Sequence, residues 1–457
     1  MKRSLVLAGG GMRVAWQAGV VKALAEEGLE FHHVDGTSGG ILTAGMLLSG
    51  ISAEEMCARW SGVDVKDFGS ALPWGEYVKG PWALPAIGDA DGILTKVFPA
   101  LGINDATIRA RATEPGAVEG SFNVVEFVHK RCHAIDATEI DAGLMAAGMS
   151  LPIFLTPLRR DGNIWTDAVW MRDANVAEAL RRGAEEVWLV WCIGNSPYWG
   201  DGPLEQYVHM IEMSAMGALL ADFDAARAMG REFVLHVIRP EHPLPLDPEF
   251  YLGRVDADTL MGMGYRDARN YLADMPAAGL AKDPACTAMT EPAPGVRFND
   301  TLRGELDGQP MVFRATVTLP TEPLPTKPLP TKPTNTPPQL TGYLEHPRFG
   351  RVFLAEGHVH ATGDEVAYRA RLRLDGGWQD VAVTRTLRDD PGPDAWQDSR
   401  HALLELGQRT ARLTMSLADA AGLLASVEPV GTHGLVDRAA AVAGFAANGL
   451  RELLRRY

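Results

Sequence analysis

The chain reads as an α/β protein carrying a second, β-rich unit. A three-layer α/β/α domain with a mostly parallel sheet is expected over 1–284, and a smaller β-rich domain with a C-terminal helix over 285–457. Three observations predict this. Short apolar strands alternate with helices in the first part, a pattern that builds parallel sheets covered by helices. After about residue 285 the apolar period shortens to two, as in half-buried strands. At 457 residues the chain also exceeds what one core ordinarily serves.

Ser4 to Ala8 is the first buried strand. Val14 to Glu27 is a helix, with Val14, Ala18, Val21 and Leu24 at helical spacing and Gly28 as its stop. Phe31 to Asp35 is the second strand, Gly36 to Gly40 a turn, and Ile41 to Leu48 a helix. Asp67 to Leu94 is rich in Gly, Pro and Trp. It reads as an irregular loop packed on the core, in preference to a mobile lid with apolar anchors at a lipid surface. Strands are expected at Phe122 to Val128, Pro152 to Leu158, Val187 to Ile193 and Phe233 to Ile238. Helices are expected at Ala137 to Ala147, Asn175 to Arg182, Tyr207 to Met229 and Asp256 to Leu272. In the second unit, Arg297 to Leu319 is a hairpin turning at Asp307-Gly308. Pro320 to Gln339 holds Pro-Leu-Pro-Thr-Lys-Pro twice and reads as an extended spacer. Strands resume at Thr341 to Leu344, Arg351 to Leu354, His358 to His360, Val366 to Leu374 and Trp378 to Thr386, before a helix from Leu435 to Tyr457.

A net charge of −15 argues against nucleic acid as a partner, because phosphate binding needs a basic face. Cys57, Cys132, Cys192 and Cys286 are far apart, which suggests neither a disulfide framework nor a zinc site. Cys192 reads as a small buried hydrophobe. His358 and His360 share a strand face but lack a third ligand, so no metal is expected. The apolar run after Met1-Lys2-Arg3 is too short for a signal peptide, and no stretch is long enough to span a membrane. A cytoplasmic location is therefore expected, with secretion lacking a cleavable signal left open.

Two glycine clusters carry chemistry. Gly9-Gly10-Gly11-Met12-Arg13 follows the first strand, and Gly36-Thr37-Ser38-Gly39-Gly40 follows the second. The latter is G-x-S-x-G, a serine between strand and helix, exposed at the positive helix end. Alone that motif is weak. The first cluster can hold a developing oxyanion on its unshielded N–H groups. It fails the dinucleotide-binding spacing, because Val14 stands where the third glycine belongs. A serine needs a base. His242 is the one plausible loop histidine, whereas His209 and His236 fall within a helix and a strand. The other candidate is Asp167, in Ile164-Trp165-Thr166-Asp167-Ala168, where apolar neighbours would desolvate it and strengthen it as a base. Asp161 reads as a hairpin turn residue.

These motifs resemble the patatin-like phospholipases. That family pairs a G-G-G-x-R/K loop with a G-x-S-x-G elbow and a later D-G/A dyad, here Asp167-Ala168. Ser150-Leu151-Pro152-Ile153-Phe154 resembles the segment before the dyad, and Asn175 with Gly183-Ala184 the segment after it. The resemblance covers about 1–275 and implies a patatin-like three-layer fold. It implies Ser38 as nucleophile and Asp167 as base, with no histidine and no cofactor. Oxyanion donors are expected from Gly9, Gly10, Gly11 and Gly39. Arg13 would support the loop or meet an anionic headgroup. Val14 and Ala168 replace commoner glycines of the family. The second unit is similar, more weakly, to an accessory module of bacterial sterol-oxidase-like enzymes, through Asp389-Asp390-Pro391-Gly392, Trp396 and the last helix. The expected function is hydrolysis of lipid carboxylic esters, with a lipid or acyl ester as substrate and peripheral membrane contact. The alternatives are a general esterase or thioesterase, and a catalytically silent lipid-binding protein.

Overall fold

The computed structural model describes residues 1–80, 82–195, 197–245, 255–320, 338–362, 365–386 and 395–456, with the backbone alone at 65, 395, 435 and 448–456. The chain divides into two compact units: Met1–Tyr251 with Asp267–Thr290, and Leu252–Arg266 with Glu291–Tyr457.

The first unit holds β1 (Arg3–Leu7), β2 (His33–Thr37), β3 (Ser70–Ala71), β4 (Gly88–Asp89), β5 (Glu119–Glu126), β6 (Arg131–Asp136), β7 (Leu158–Arg160), β8 (Asn163–Asp167), β9 (Glu186–Val190) and β10 (Val234–Ile238). The main sheet has the order β10-β9-β1-β2-β5-β8-β7, with β6 also paired to β5. Pairings from β10 to β5 are parallel, while β6, β7 and β8 join antiparallel. From β1 the chain steps out to β2 and β5, then returns on the other side of β1 as β9 and β10. The order thus reverses at β1, and ligands of open α/β sheets bind past the strand ends at such a reversal. Val6, Val187, Leu189 and Leu235 form a core with Ile211, Leu219 and Phe223 of the helix Pro203–Ala228. Strands buried on both faces explain the unbroken apolar runs of β1 and β9.

Three differences from the sequence reading have local causes. Pro152 to Phe154 is a turn rather than a strand, with Ile153 at φ 78°; Leu155 makes an isolated bridge to Gly88, and the next strand begins at Leu158. The second strand lies two residues later than read, because β1 pairs in register from Ser4 with His33. The helix read from Ala137 starts at Ala142. Asp136 Oδ1 accepts from the Thr138 N–H, and Asp141 Oδ1 caps the helix by accepting from the Leu144 N–H. Residues 67–94 are packed only in part: Leu72 and Ala86 are buried, but Trp74, Val78, Trp82 and Ile87 are exposed.

The second unit contains β11 (Gly295–Leu306), β12 (Gln309–Pro320), β13 (Gln339–His346), β14 (Gly350–Phe353), β15 (Ala355–Thr362), β16 (Glu365–Leu374), β17 (Gly377–Thr386), β18 (His401–Leu406), β19 (Arg409–Thr414) and β20 (Glu428–Val430). Antiparallel neighbours run from β11 through β12, β13, β15, β16, β17 and β18 to β19, which pairs back with β11 and closes a barrel. Asp307 and Gly308 both have positive φ, as the two-residue turn expected there requires. Val296, Phe298, Leu302, Phe313, Leu344, Leu372, Val383, Leu404 and Leu413 fill the interior. One polar group crosses it. Arg385 donates to both Asp300 oxygens at 2.6 and 2.9 Å, and the Tyr368 hydroxyl donates to Asp300 Oδ2 at 2.8 Å. The C-terminal helix, Leu435–Arg456, packs Ala441 into this core and sets the Phe445 ring, tilted, 5.5 Å from that of Phe298. Most of the proline-rich spacer (321–337) and the Asp389–Gly392 motif lie outside the described residues. Among the described residues no helix is long and apolar enough to cross a membrane.

Removing one partner of a buried ion pair strands the other charge. Asp300→Ala is therefore expected to cost about 3–5 kcal/mol, read as a lower urea midpoint of the full chain, with Asp300→Asn milder. An unchanged midpoint for Asp300→Ala would show that Arg385 reaches solvent unaided.

Candidate active site

Ser38 follows β2 directly and has φ 52°, a left-handed conformation that costs a non-glycine residue about 1–3 kcal/mol. The helix Gly40–Leu48 starts two residues later. It begins there because position 40 lacks a side chain: a Cβ on Gly40 would lie 2.2 Å from Leu7 O. One on Gly39 would lie 2.6 Å from Gly11 O. The two glycine clusters thus interlock, and Ser38 sits at the positive end of a helix seated on β1.

Asp167 ends β8. Thr37 pairs with Asn123 and Asp167 with Val124, so the sheet register places the carboxylate one strand from the elbow. The Ser38 hydroxyl donates to Asp167 Oδ2 at 2.6 Å. The Val169 N–H donates to Oδ1 at 2.8 Å. Asp167 is buried, and desolvation pushes its carboxyl up to about 7 against these hydrogen bonds. A carboxyl at that value can gain or lose a proton near neutral pH.

The glycine loop departs from expectation at one point. The Gly9 N–H, read as an oxyanion donor, donates instead to Asp173 Oδ1 at 2.8 Å. A Cβ on Gly9 would meet that oxygen at 2.4 Å and Ser38 Cβ at 2.8 Å. Gly10 and Gly11 lead into the one-turn helix Gly11–Val14, where leading N–H groups lack intrahelical partners. Arg13, read as supporting the loop or meeting an anionic headgroup, donates through Nε to Gly10 O at 2.9 Å. Cys192 is buried, as read, but its thiol also donates to Gly9 O at 3.0 Å.

Beneath the elbow runs a dry polar chain. Asn123 Nδ2 donates to Asp35 Oδ1 and to Thr37 Oγ1, and its Oδ1 accepts from Asn175 Nδ2 at 2.6 Å. Asn175 Oδ1 in turn caps the helix Val176–Arg181. Ser121 donates to Asp35 Oδ2, and the same hydroxyl meets His33 Nε2 at 2.8 Å. Burial lowers His33 to about 4, so it is neutral at pH 7. Since Ser121 spends its proton on Asp35, its oxygen accepts from an Nε2–H tautomer of His33. Only Asn175 of this set stands out in the sequence; polar residues inside buried strands were the available signal.

The histidines considered as bases are engaged elsewhere. His209 Nε2 accepts from the Gly200 N–H, His236 bonds the Tyr271 hydroxyl, and His242 Nδ1 lies 2.8 Å from Thr290 O. Asp161 occupies the β7–β8 turn with positive φ. Among the described residues no group of three or more His, Cys, Asp or Glu could hold a metal.

Because a methyl at position 40 must displace β1, Gly40→Ala should destabilise by about 1–3 kcal/mol, measured by urea unfolding. An unaltered midpoint would mean the helix can slide off the strand.

Residues 5–180 match the family model of the patatin-like phospholipases. The span ends short of β9 and β10 but includes the glycine loop, Ser38, Asp167 and Asp173. No curated protein matches the chain. Residues 5–180 of this chain are thus similar to the patatin-like phospholipases, a family of lipid acyl hydrolases.

Proposed function

We propose that the first unit is a serine acyl hydrolase that cleaves carboxylic esters of lipids through Ser38 and Asp167. The observation that carries this is the 2.6 Å hydrogen bond from the serine hydroxyl to a buried carboxylate. Ser38 Oγ attacks the acyl carbonyl while Asp167 takes its proton. The oxyanion is held by the N–H groups of Gly10 and Gly11, with Gly39 as a third donor, and by the end of the helix Gly40–Leu48. Collapse expels the alcohol, which leaves with the proton from Asp167. Water then attacks the acyl-enzyme, giving its proton to Asp167, and collapse returns that proton from Asp167 to Ser38 Oγ as the acid is released.

The substrate is presented at a lipid surface. Trp74 and Trp82 are 82% and 101% exposed, and Ile153 is 59% exposed. The Ile87 N–H donates to Ile153 O at 2.8 Å, and the Tyr77 hydroxyl, beside Trp74, donates to Ile87 O, so Trp74 and Ile153 are tied to one segment, with Ile153 three residues beyond Ser150, whose carbonyl accepts from the Asp167 N–H. Exposed tryptophans suit the boundary between headgroups and acyl chains.

Hydrolysis of p-nitrophenyl esters and of phospholipid in mixed micelles should fall by about 10³-fold or more in Ser38→Ala and in Asp167→Asn. Protonating Asp167 removes the base, so kcat should decline as pH drops through about 7. Activity surviving Asp167→Asn would place the base elsewhere. The double variant Trp74→Ala/Trp82→Ala should lower vesicle hydrolysis well beyond its effect on a soluble ester. Equal losses on both substrates would count against surface docking.

A further inference from the structure

We infer that Asp173 is held as a neutral, protonated carboxylic acid that fixes the glycine loop against Ser38, so that the two buried carboxyl groups beside the serine work in opposite ionisation states. This rests on the Ser38–Asp167 reading. Asp173 is a positioning residue: it touches Gly9, not the reacting atoms.

The argument is one of partners. Asp167 receives the Ser38 hydroxyl and the N–H groups of Val169 and Ala168. Asp173 is fully buried and, among the described residues, receives one donor, the Gly9 N–H, while its Oδ2 has no hydrogen-bond partner. A buried carboxylate with a bare oxygen costs several kcal/mol unless a cation meets it. No cation is bonded to Asp173 among the described residues. Arg13 acts on it at a distance, with its Nε turned to Gly10 O. Arg172, next in the chain, pairs with Asp222 of the helix Pro203–Ala228 at 3.0 Å. Glu178 on the following helix is paired with Arg181 and Arg182. The helix Gly40–Leu48 brings no charged residue. Cys192 bonds Gly9 O. Tyr207, which faces Asp167, is kept neutral by burial. The remaining charge is Asp167 itself, which opposes a second anion nearby. The proton therefore settles on the carboxyl with fewer donors. Burial raises both carboxyls above the usual carboxylate range.

The neutral acid holds the Gly9 peptide and, through it, the orientation of the Gly10 and Gly11 peptides that follow. Loss of its proton to solvent would set a negative charge beside the carbonyl oxygen that becomes the oxyanion. Catalysis is then weakened on the alkaline side by Asp173, as it is on the acid side by Asp167.

Two measurements on the full chain test this. In the first, kcat for a soluble ester is followed against pH, with folding checked by thermal melting. Asp173→Ala should lower kcat about 10- to 100-fold, more than it changes KM. Asp173→Asn, which copies the neutral acid, should recover most of that loss and abolish the alkaline decline. In the second, the infrared difference between wild type and Asp173→Asn at pH 7 should contain the carbonyl band of one protonated carboxyl. Asp173→Asn as damaged as Asp173→Ala, an alkaline limb that persists in it, or a difference spectrum showing a carboxylate would each overturn the proposal. Ser38→Ala serves as the separate check on the dyad. Should it stay active, the dyad reading fails, while the infrared measurement still decides where the proton resides.

Discussion

Gly40 lies so close to the carbonyl oxygens of Leu7 and Ala8 that no side chain fits between them. That approach sets where the helix Gly40–Leu48 begins, and hence where the strained residue before it must stand. Gly36 needs the same freedom, since its Cβ would meet Ala44 at 2.8 Å. The glycines after β1 and those after β2 are therefore two halves of one joint. The unfavourable φ of Ser38 is imposed from both sides, by the seated helix and by Thr37, which Asn123 anchors to the polar chain below. Strain at a functional residue survives only where the surroundings over-determine it.

The first unit keeps three carboxyl groups in a dry interior near that joint: Asp35, Asp167 and Asp173. None of them forms a salt bridge among the described residues. Burial raises all three, and hydrogen bonds offset the rise unequally. Asp35 is stitched to Ser121 and Asn123 and serves the architecture. The other two flank the serine. Environment alone thus sorts chemically identical side chains into different duties.

Much of the joint is legible in the sequence because its signals are local. Glycine clusters after apolar strands, a serine inside the second, and an aspartate at the end of Asn163–Asp167 all stand out by neighbourhood. Asp173 does not. It is one aspartate between Arg172 and Ala174 with no motif of its own, and it is buried where it accepts from the Gly9 N–H of the glycine loop. β6 escaped the reading because Arg131–Asp136 is a half-buried edge strand with charged ends. Pro152 to Leu155 misled in the other direction: the run is apolar, but Ile153 adopts a positive φ that no strand accommodates. β18 and β19 alternate cleanly, yet their outward residues, such as Glu405 and Arg412, dilute the apolar signal. Without them the second unit reads as a row of hairpins and its closure is invisible.

That closure sets an order on the second unit's own assembly. Its strands follow one another as neighbours, so pairing from β11 to β18 is local and can proceed as the chain emerges. The seam between β11 and β19 joins Arg303 to Thr414, more than a hundred residues apart, and only Arg303–Thr414 and Gly304–Leu413 are in register there. Until residue 414 has been synthesised, β11 presents an open edge to any other extended chain. Long-range pairings of this kind form slowly. The vulnerable moment in this unit's assembly is therefore the one before closure, when a nearly complete sheet waits for β19.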